Sequence, residues 1–314
     1  MDMTTSRPHP VLGAMDFGTR IDAARAFAIL DRFVARGGVW IDTANCYSFW
    51  NDPSGVGGAS ERVLGAWLRA NPGIRDHVKI ATKVRQNPLV PHAWPESAEG
   101  LSAQAIRDGV AGSLDRLGID DVDLLWAHAE DHEVDLAETV AAFGELVAQG
   151  IAGRVGAANH AAWRVERARR LATDLGVEPW SALQLRHSLA QPRPGTVVPE
   201  AGHRMLTADD LALARTEQLT VWCYSPLLFG AYSRDDRPFS EAYDHPGTDR
   251  VRAALADVAR EVGATANQVV LAWLMRQGIA PLTGMSRPAY VDEAMDATGV
   301  VLSDDHMARF EAAR

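Results

Sequence analysis

Short apolar runs alternate with longer amphipathic segments along most of the chain. The runs are rich in β-branched and bulky residues at consecutive positions, which is typical of strands buried on both faces of a parallel sheet. The pattern predicts eight strands, at Val11–Met15, Val39–Ala44, Val78–Val84, Val122–Ala129, Gly153–Asn159, Ala182–Ser188, Thr220–Leu227 and Ile279–Gly284.

The amphipathic segments repeat their apolar residues with a helical period and carry helix start and stop signals. Thr265 with Gln268, and Asp135 with Glu138, have the spacing of a capping box. The predicted helices include Ile21–Arg36, Ala59–Ala70, Ala103–Leu117, Leu136–Gln149, Ala161–Leu175, Asp249–Val262 and Ala266–Gln277.

Regular alternation of strand and helix predicts parallel strands joined by right-handed crossovers. Eight such units close into a barrel more naturally than they extend an open sheet. We therefore predict an α/β fold, a single-domain (β/α)8 TIM barrel over residues 1–314. Long loops at 47–58, 86–101, 189–206 and 228–248 follow strands, so they are expected on the catalytic rim.

The composition of the chain argues against nucleic acid and membranes as binding partners. The 314 residues carry a formal net charge of −10, which disfavours binding to nucleic acid or anionic lipid. No apolar run approaches the roughly 18 residues of a membrane span, and residues 1–10 do not resemble a signal peptide. We expect a cytoplasmic protein. The two cysteines, Cys46 and Cys223, are expected to be packed, reduced thiols.

Four polar residues lie at or just beyond the ends of three predicted strands: Asp42, Tyr47, Lys83 and His128. The carboxyl ends of barrel strands meet on one rim, so these side chains are expected to converge. An ammonium beside a phenol is expected to lower the phenol pKa from roughly 10, and a carboxylate is needed to keep a buried ammonium charged. The set predicts a proton donor facing a carbonyl oxygen, with His128 orienting the carbonyl.

The residues around this group, and further segments along the chain, resemble the aldo-keto reductases. The order and spacing of Asp42, Tyr47, Lys83 and His128 are similar to the catalytic tetrad of that family. The matching segments are Ile41–Ala44, Ser60–Glu61, Ala81–Lys83, Asp123–His128, Gly156–Asn159, Leu183–Leu185, Tyr224–Leu227 and Pro281–Gly284.

The resemblance implies reduction of an aldehyde or ketone by NADPH, with Tyr47 as general acid. It further implies that Asn159 and Gln184 hold the nicotinamide carboxamide and that Tyr224 stacks on the ring. The remaining implied coenzyme contacts are Ser225 and Leu227 at the pyrophosphate, and Gly284, Ser286 and Arg287 after the eighth strand, with Arg287 suited to the 2′-phosphate.

The segment between Tyr47 and Ser60 is longer than is usual in that family. We expect its Phe49 and Trp50, together with Trp94 of the next long loop, to form a wall of the substrate pocket. A keto-sugar, another polar metabolite and a small aldehyde are all compatible substrates, and the polar ones are slightly favoured.

Two other functions remain open from the sequence. His128, Asp131 and His132 suggest a metal-dependent barrel hydrolase, although three ligands in one loop form a poor cage. A regulatory subunit that binds a nicotinamide coenzyme with little turnover is the non-enzymatic alternative. The reductase hypothesis requires no metal.

Overall fold

Eight parallel strands form a closed barrel in the computed structural model, which describes residues 8–196 and 203–314. Neighbouring strands in the barrel are neighbours in the chain, and β1 pairs with both β2 and β8. The strands are β1 Val11–Gly13, β2 Trp40–Asp42, β3 Lys79–Val84, β4 Leu124–Ala127, β5 Val155–Ala158, β6 Ala182–Arg186, β7 Thr220–Tyr224 and β8 Ile279–Thr283. The predicted (β/α)8 fold and all eight predicted strands are confirmed.

The helices surround the barrel, and the seven predicted ones are present with ends shifted by at most three residues. Helices α6, α9 and α10 were not among the predicted set. The bounds are α1 Ala23–Ala35, α2 Ala59–Ala70, α3 Ala103–Leu117, α4 Leu136–Ala148, α5 Ala162–Leu175, α6 Ala208–Thr216, α7 Pro246–Val262, α8 Ala266–Arg276, α9 Pro288–Asp296 and α10 Asp304–Ala313.

The two predicted capping boxes have different outcomes. At the start of α8, the Thr265 hydroxyl accepts from the Gln268 amide at 3.1 Å, and the Gln268 side chain accepts from the Thr265 amide at 3.0 Å. The Asp135 side chain caps α4 as expected. The predicted capping box is wrong, because the Glu138 carboxylate accepts from the backbone N–H of Ala103 at the start of α3 instead. Glu138 therefore links two helices rather than closing one.

The core has two layers, one inside the barrel and one between the barrel and its helices. Inside, the Trp222 ring packs edge-on against Trp126 and Trp40, with centroid distances of 5.3 and 5.1 Å. Aromatic rings of this size fill the interior, so the barrel is a packed core and not a pore. In barrels of this kind, ligand sites lie on the rim at the carboxyl ends of the strands.

Two sequence-based expectations fall on segments outside the described residues. The N-terminal residues 1–7 and the central part of the predicted loop 189–206, at 197–202, are not described. None of the helices in the described ranges is long and apolar enough to cross a membrane.

Candidate active site

Lys83 is the centre of a hydrogen-bonded group at the carboxyl ends of β2 and β3. Its side chain is fully buried, and its ammonium donates to the Asp42 carboxylate. It also donates to the Thr43 carbonyl at 2.7 Å and to the Tyr47 hydroxyl oxygen at 3.0 Å. A lysine ammonium has three N–H groups, so all three have an acceptor here.

The direction of the bond between Lys83 and Tyr47 has a chemical consequence. An ammonium has hydrogens to donate and no lone pair to accept, so the phenol oxygen must be the acceptor. The phenol hydrogen is then left for another acceptor. Tyr47 can thus donate a proton while its oxygen remains bound to a positive charge.

The pKa of Tyr47 departs from the expected direction. Desolvation raises the pKa of the phenol well above its ordinary value, and the nearby negative charge of Asp42 raises it further. The expectation that Lys83 lowers this pKa is therefore wrong for the protein alone, because the paired Asp42 offsets the ammonium and dehydration dominates. Tyr47 is a fully protonated donor at neutral pH.

Asp42 and Lys83 form a buried ion pair. Burial raises the pKa of the Asp42 carboxyl and lowers the pKa of Lys83, while the contact between the two opposes both changes. Three acceptors around the ammonium, and a second bond to Asp42 from the Gln184 amide at 3.2 Å, favour the charged forms. The pair fixes a positive charge beneath the Tyr47 oxygen.

His128 follows β4 and stands edge-on to the Tyr47 ring, with the ring centroids 5.8 Å apart. Its carbonyl oxygen accepts from the Asn159 side chain at 3.0 Å, and its Nδ1 lies 3.6 Å from the Cys46 sulfur. Desolvation lowers the pKa of His128 well below its ordinary value, and the charge on Lys83 lowers it further. The imidazole is consequently neutral at neutral pH.

The residues expected to hold nicotinamide form a continuous patch beside this group. The Tyr224 hydroxyl donates to the side-chain oxygen of Asn159 at 2.6 Å. The backbone N–H of Asn159 donates to the backbone carbonyl of Gln184 at 3.0 Å. The Gln184 side chain reaches Asp42, so the patch adjoins the ion pair. Two amide side chains and an aromatic ring on adjacent strand ends fit a planar carboxamide-bearing ring.

The expected pyrophosphate residues begin a strained loop after β7. Ser225, Leu228 and Phe229 all have positive φ, at 53°, 46° and 59°. Left-handed conformations of non-glycine residues cost roughly 1 to 2 kcal/mol each and cluster at ligand sites. Leu227 lies within this loop, immediately before the second strained residue.

The residues after β8 leave room beside the strand end. A Cβ added to Gly284 would meet no atom within 4 Å, and the buried Thr283 hydroxyl has no hydrogen-bond partner among the described residues. Ser286 follows, and Arg287 is the N-cap of α9, with its guanidinium over the Tyr290 ring at 5.1 Å. An exposed arginine at a helix N-terminus is suited to a phosphate group.

The three aromatic residues predicted for the substrate wall are in contact. The Phe49 ring centroid is 5.0 Å from that of Trp50 and 5.8 Å from that of Trp94. Trp50 is also edge-on to Tyr47 at 6.4 Å, and 48% of its surface is exposed. The three rings form an apolar surface beside the Tyr47 ring, and Trp50 is its exposed member.

Comparison with models of known protein families identifies the family of this chain. The model of the aldo/keto reductase family matches residues 11–314. The chain belongs to the aldo-keto reductase family. Members of this family are oxidoreductases that typically use a nicotinamide coenzyme and act on small carbonyl compounds.

Similar proteins include several fungal and bacterial oxidoreductases. A norsolorinic acid reductase from Emericella nidulans is 27% identical over 96% of this chain and 76% of its own length. An aryl-alcohol dehydrogenase from Pestalotiopsis microspora is 25% identical over 91% of this chain and 71% of its own. An uncharacterized oxidoreductase from Bacillus subtilis is 28% identical over 92% of this chain and 86% of its own.

A solved structure supports the fold of this aldo-keto reductase. A thermostable aldo-keto reductase, crystallised with the inhibitor epalrestat, superposes with a TM-score of 0.75. The alignment covers 98% of this chain and 95% of the other, at 22% identity.

The ligand set suggested for a metal hydrolase does not assemble in this aldo-keto reductase. Asp131 accepts from the Leu101 amide at 2.8 Å, His132 is largely exposed and contacts Glu130, and His128 lies against Cys46. Within residues 8–196 and 203–314, no group of three or more histidine, cysteine or acidic side chains is placed to hold a metal ion.

Two residues near the site were missed as functional candidates. The His203 ring is edge-on to Tyr224 at 5.0 Å, and its electrostatic influence contributes to lowering the pKa of His128. Cys46 was expected to be an inert packed thiol, and it is buried, but its sulfur lies within 4 Å of the His128 ring. Neither contact has a local sequence signal, because each joins residues far apart in the chain.

Proposed function

We propose that this aldo-keto reductase reduces an aldehyde or ketone to an alcohol with NADPH, and that Tyr47 is the general acid. The observation that carries the proposal is the bond from the buried Lys83 ammonium to the Tyr47 oxygen. It leaves the phenol hydrogen available for a carbonyl oxygen. The negative charge that would develop on the phenol after proton transfer would already have its counter-ion.

The raised pKa of Tyr47 is compatible with this role. A bound NADPH would supply a hydride to the carbonyl carbon, and the carbonyl oxygen would then become an alkoxide about as basic as hydroxide. An ordinary phenol is a stronger acid than water by roughly 5 to 6 pKa units, and the dehydration that raises the pKa of Tyr47 also raises the pKa of an alcohol formed in the same pocket, so proton transfer from the phenol to the alkoxide stays favourable. His128, which is neutral, would donate a hydrogen bond to the same oxygen and orient it.

The coenzyme would be held by residues on consecutive strand ends. Asn159 and Gln184 would exchange part of their present hydrogen bonds for the carboxamide, and Tyr224 would stack on the ring. The strained loop from Ser225 through Leu227 would carry the pyrophosphate. Gly284 and Ser286 would line the adenosine side, and Arg287 would pair with the 2′-phosphate, which favours NADPH over NADH.

The wall formed by Phe49, Trp50 and Trp94 supports a carbonyl substrate with an aryl or apolar body. Offset and edge-on ring contacts add roughly 0.5 to 1.5 kcal/mol beyond simple burial. Relatives named for norsolorinic acid and aryl alcohols agree with this substrate class. We therefore place aryl carbonyls ahead of the keto-sugars that the sequence slightly favoured.

The proposal is tested by following nicotinamide absorbance with both coenzymes and a panel of aryl aldehydes, aliphatic ketones and keto-sugars. We expect the highest kcat/KM for aryl carbonyls with NADPH. Tyr47→Phe is expected to lower kcat by about 10²- to 10⁴-fold, the usual contribution of a positioned general acid, with NADPH Kd nearly unchanged.

Other outcomes have distinct meanings. Unchanged turnover in Tyr47→Phe would refute the assignment of the acid. Tight NADPH binding with negligible turnover across the whole panel would instead indicate a coenzyme-binding regulatory subunit. A higher kcat/KM for keto-sugars than for aryl aldehydes would contradict the proposed substrate class, although carbonyl reduction itself would be supported.

A further inference from the structure

The Cys46 thiol is a buried group that the proposed reaction does not use. It directly precedes Tyr47, only 1% of its surface is exposed, and its sulfur lies 3.6 Å from Nδ1 of His128. This separation is within hydrogen-bonding range for sulfur. The contact joins the loop after β2 to the residue that follows β4.

Both members of the contact are uncharged. Desolvation and the charge of Glu99 raise the pKa of the Cys46 thiol, so it keeps its hydrogen. The pKa of His128 is lowered first by desolvation and then by the electrostatic influence of Lys83, His203 and Arg85. A thiolate–imidazolium pair is therefore disfavoured.

Two neutral arrangements are then available, and their strengths differ. In one the thiol donates to Nδ1, and in the other Nδ1–H donates to sulfur. Sulfur is a weak acceptor, whereas the unprotonated nitrogen of a neutral imidazole is a good one. The arrangement with S–H donating to Nδ1 is the stronger, and it places the imidazole hydrogen on Nε2.

We infer that Cys46 is a positioning residue that holds His128 in the Nε2–H tautomer, so that the imidazole donates to the substrate carbonyl. The inference rests on the proposed carbonyl reduction. The other tautomer would offer a lone pair at Nε2 to a carbonyl oxygen and would repel it. Tyr47 and His128 then both donate to one oxygen.

The tautomer is directly observable by nitrogen NMR of protein labelled with ¹⁵N-histidine, with the His128 signals assigned by their loss in His128→Gln. The wild type should show a pyridine-like Nδ1 and a pyrrole-like Nε2. Cys46→Ala should show a mixture of tautomers, and Cys46→Ser, whose hydroxyl can donate to Nδ1, should restore the wild-type pattern.

Cys223→Ala is the matched control, because Cys223 is equally buried but belongs to β7 and does not contact His128. It should leave the His128 signals unchanged. In turnover, Cys46→Ala is expected to lower kcat about fivefold, in line with the loss of one ordinary hydrogen bond, and to leave NADPH Kd unchanged. Cys46→Ser should recover most of this loss.

An Nδ1–H tautomer in the wild type, or an unchanged Nε2–H pattern in Cys46→Ala, would overturn the inference. The NMR measurement needs no substrate, so it decides the role of Cys46 even if the wild type reduces no carbonyl compound. If Cys46→Ala does not fold, the wild-type tautomer and the Cys46→Ser pattern still test the inference.

Discussion

Lys83 illustrates at the scale of one residue how a buried charge is tolerated. An isolated ammonium in the protein interior would lose its proton, but each N–H of Lys83 has an oxygen acceptor. The residue types at this site follow from the sequence, whereas the balance of desolvation and charge that raises the pKa of Tyr47 does not. The dehydration of the Tyr47 hydroxyl depends on all the atoms packed around it, and no local sequence pattern predicts it.

Removing the ammonium should expose the dependence of Asp42 on its partner. We expect Lys83→Met to lower the free energy of unfolding by about 3 to 5 kcal/mol at pH 7, since a buried carboxylate is left unpaired. Burial already raises the folded pKa of Asp42, and without Lys83 it rises further. The Asp42 carboxyl of the variant is then protonated on folding, so the variant loses stability as pH rises. Its loss of unfolding free energy relative to the wild type is therefore smaller at pH 5 than at pH 7.

Urea denaturation at both pH values measures this difference. Lys79→Met is the matched control, because Lys79 lies on the same strand with its ammonium over the Trp40 ring at 5.4 Å and is only partly buried. Its loss should change stability by about 1 kcal/mol or less. Equal losses of unfolding free energy in Lys83→Met and Lys79→Met would contradict the claim that Asp42 depends on a buried ion pair with Lys83.

Arg287 provides the second residue-scale prediction. Arg287→Ala is expected to weaken NADPH roughly 10- to 100-fold more than NADH, the contribution of a charged hydrogen bond to the 2′-phosphate. Fluorescence titration of both coenzymes measures the ratio. Arg309→Ala, which removes an arginine paired with Glu261 on the protein surface, should leave the ratio unchanged. Equal weakening of both coenzymes would remove Arg287 from the phosphate site.

At the scale of elements, the predicted strands mostly extend too far at their carboxyl ends. Asn159, Ser225 and Leu227 were placed in strands, but β5 and β7 end before them. Asn159 and Ser225 adopt positive φ at the turn out of the strand. Glycine would signal such a turn in the sequence, whereas these two residues take the conformation under tertiary constraint.

The capping box of α8 is predicted to stabilise the helix independently of the active site. Thr265→Ala should lower the free energy of unfolding by about 1 kcal/mol, because the Gln268 amide loses its acceptor. Thermal or urea denaturation measures the loss, and kcat should not change. Thr265→Ser keeps the hydroxyl and should remain near wild type; a loss as large as that of the alanine variant would point to the threonine methyl group instead.

At the scale of the whole molecule, barrel closure brings together residues that are far apart in sequence. Gln184 of β6 bonds Asp42 of β2 across 142 positions, and Tyr224 bonds Asn159 across 65. The order of strands predicted that these ends share a rim. Which side chains touch there depends on the register and radius of the closed barrel.

Packing inside the closed barrel gives the last prediction. A Cβ at Gly156 would lie 2.6 Å from a ring carbon of Trp126 and 2.8 Å from the Ala182 carbonyl oxygen. Gly156→Ala should therefore lower the free energy of unfolding by about 1 to 3 kcal/mol, as overpacking does. The change is measured by urea denaturation.

Gly299→Ala is the control for this substitution. A Cβ there would meet nothing within 4 Å, and the backbone is not in the left-handed region. Its stability should equal or slightly exceed that of the wild type, because alanine restricts the unfolded chain. A neutral result at Gly156 would show that both the Trp126 ring and the Ala182 backbone can shift to accept a methyl group, and would contradict the predicted overpacking.

The sequence by itself determined the strands and most helices, their order, the (β/α)8 barrel and the polar residues that end the strands. These follow from local periodicity and chain connectivity, which act over a few residues at a time. Tertiary structure alone decided the pKa of Tyr47, the contact of Cys46 with His128, the approach of His203 to Tyr224 and the need for glycine at position 156. Dehydration and close packing are set by neighbours that are distant in the chain.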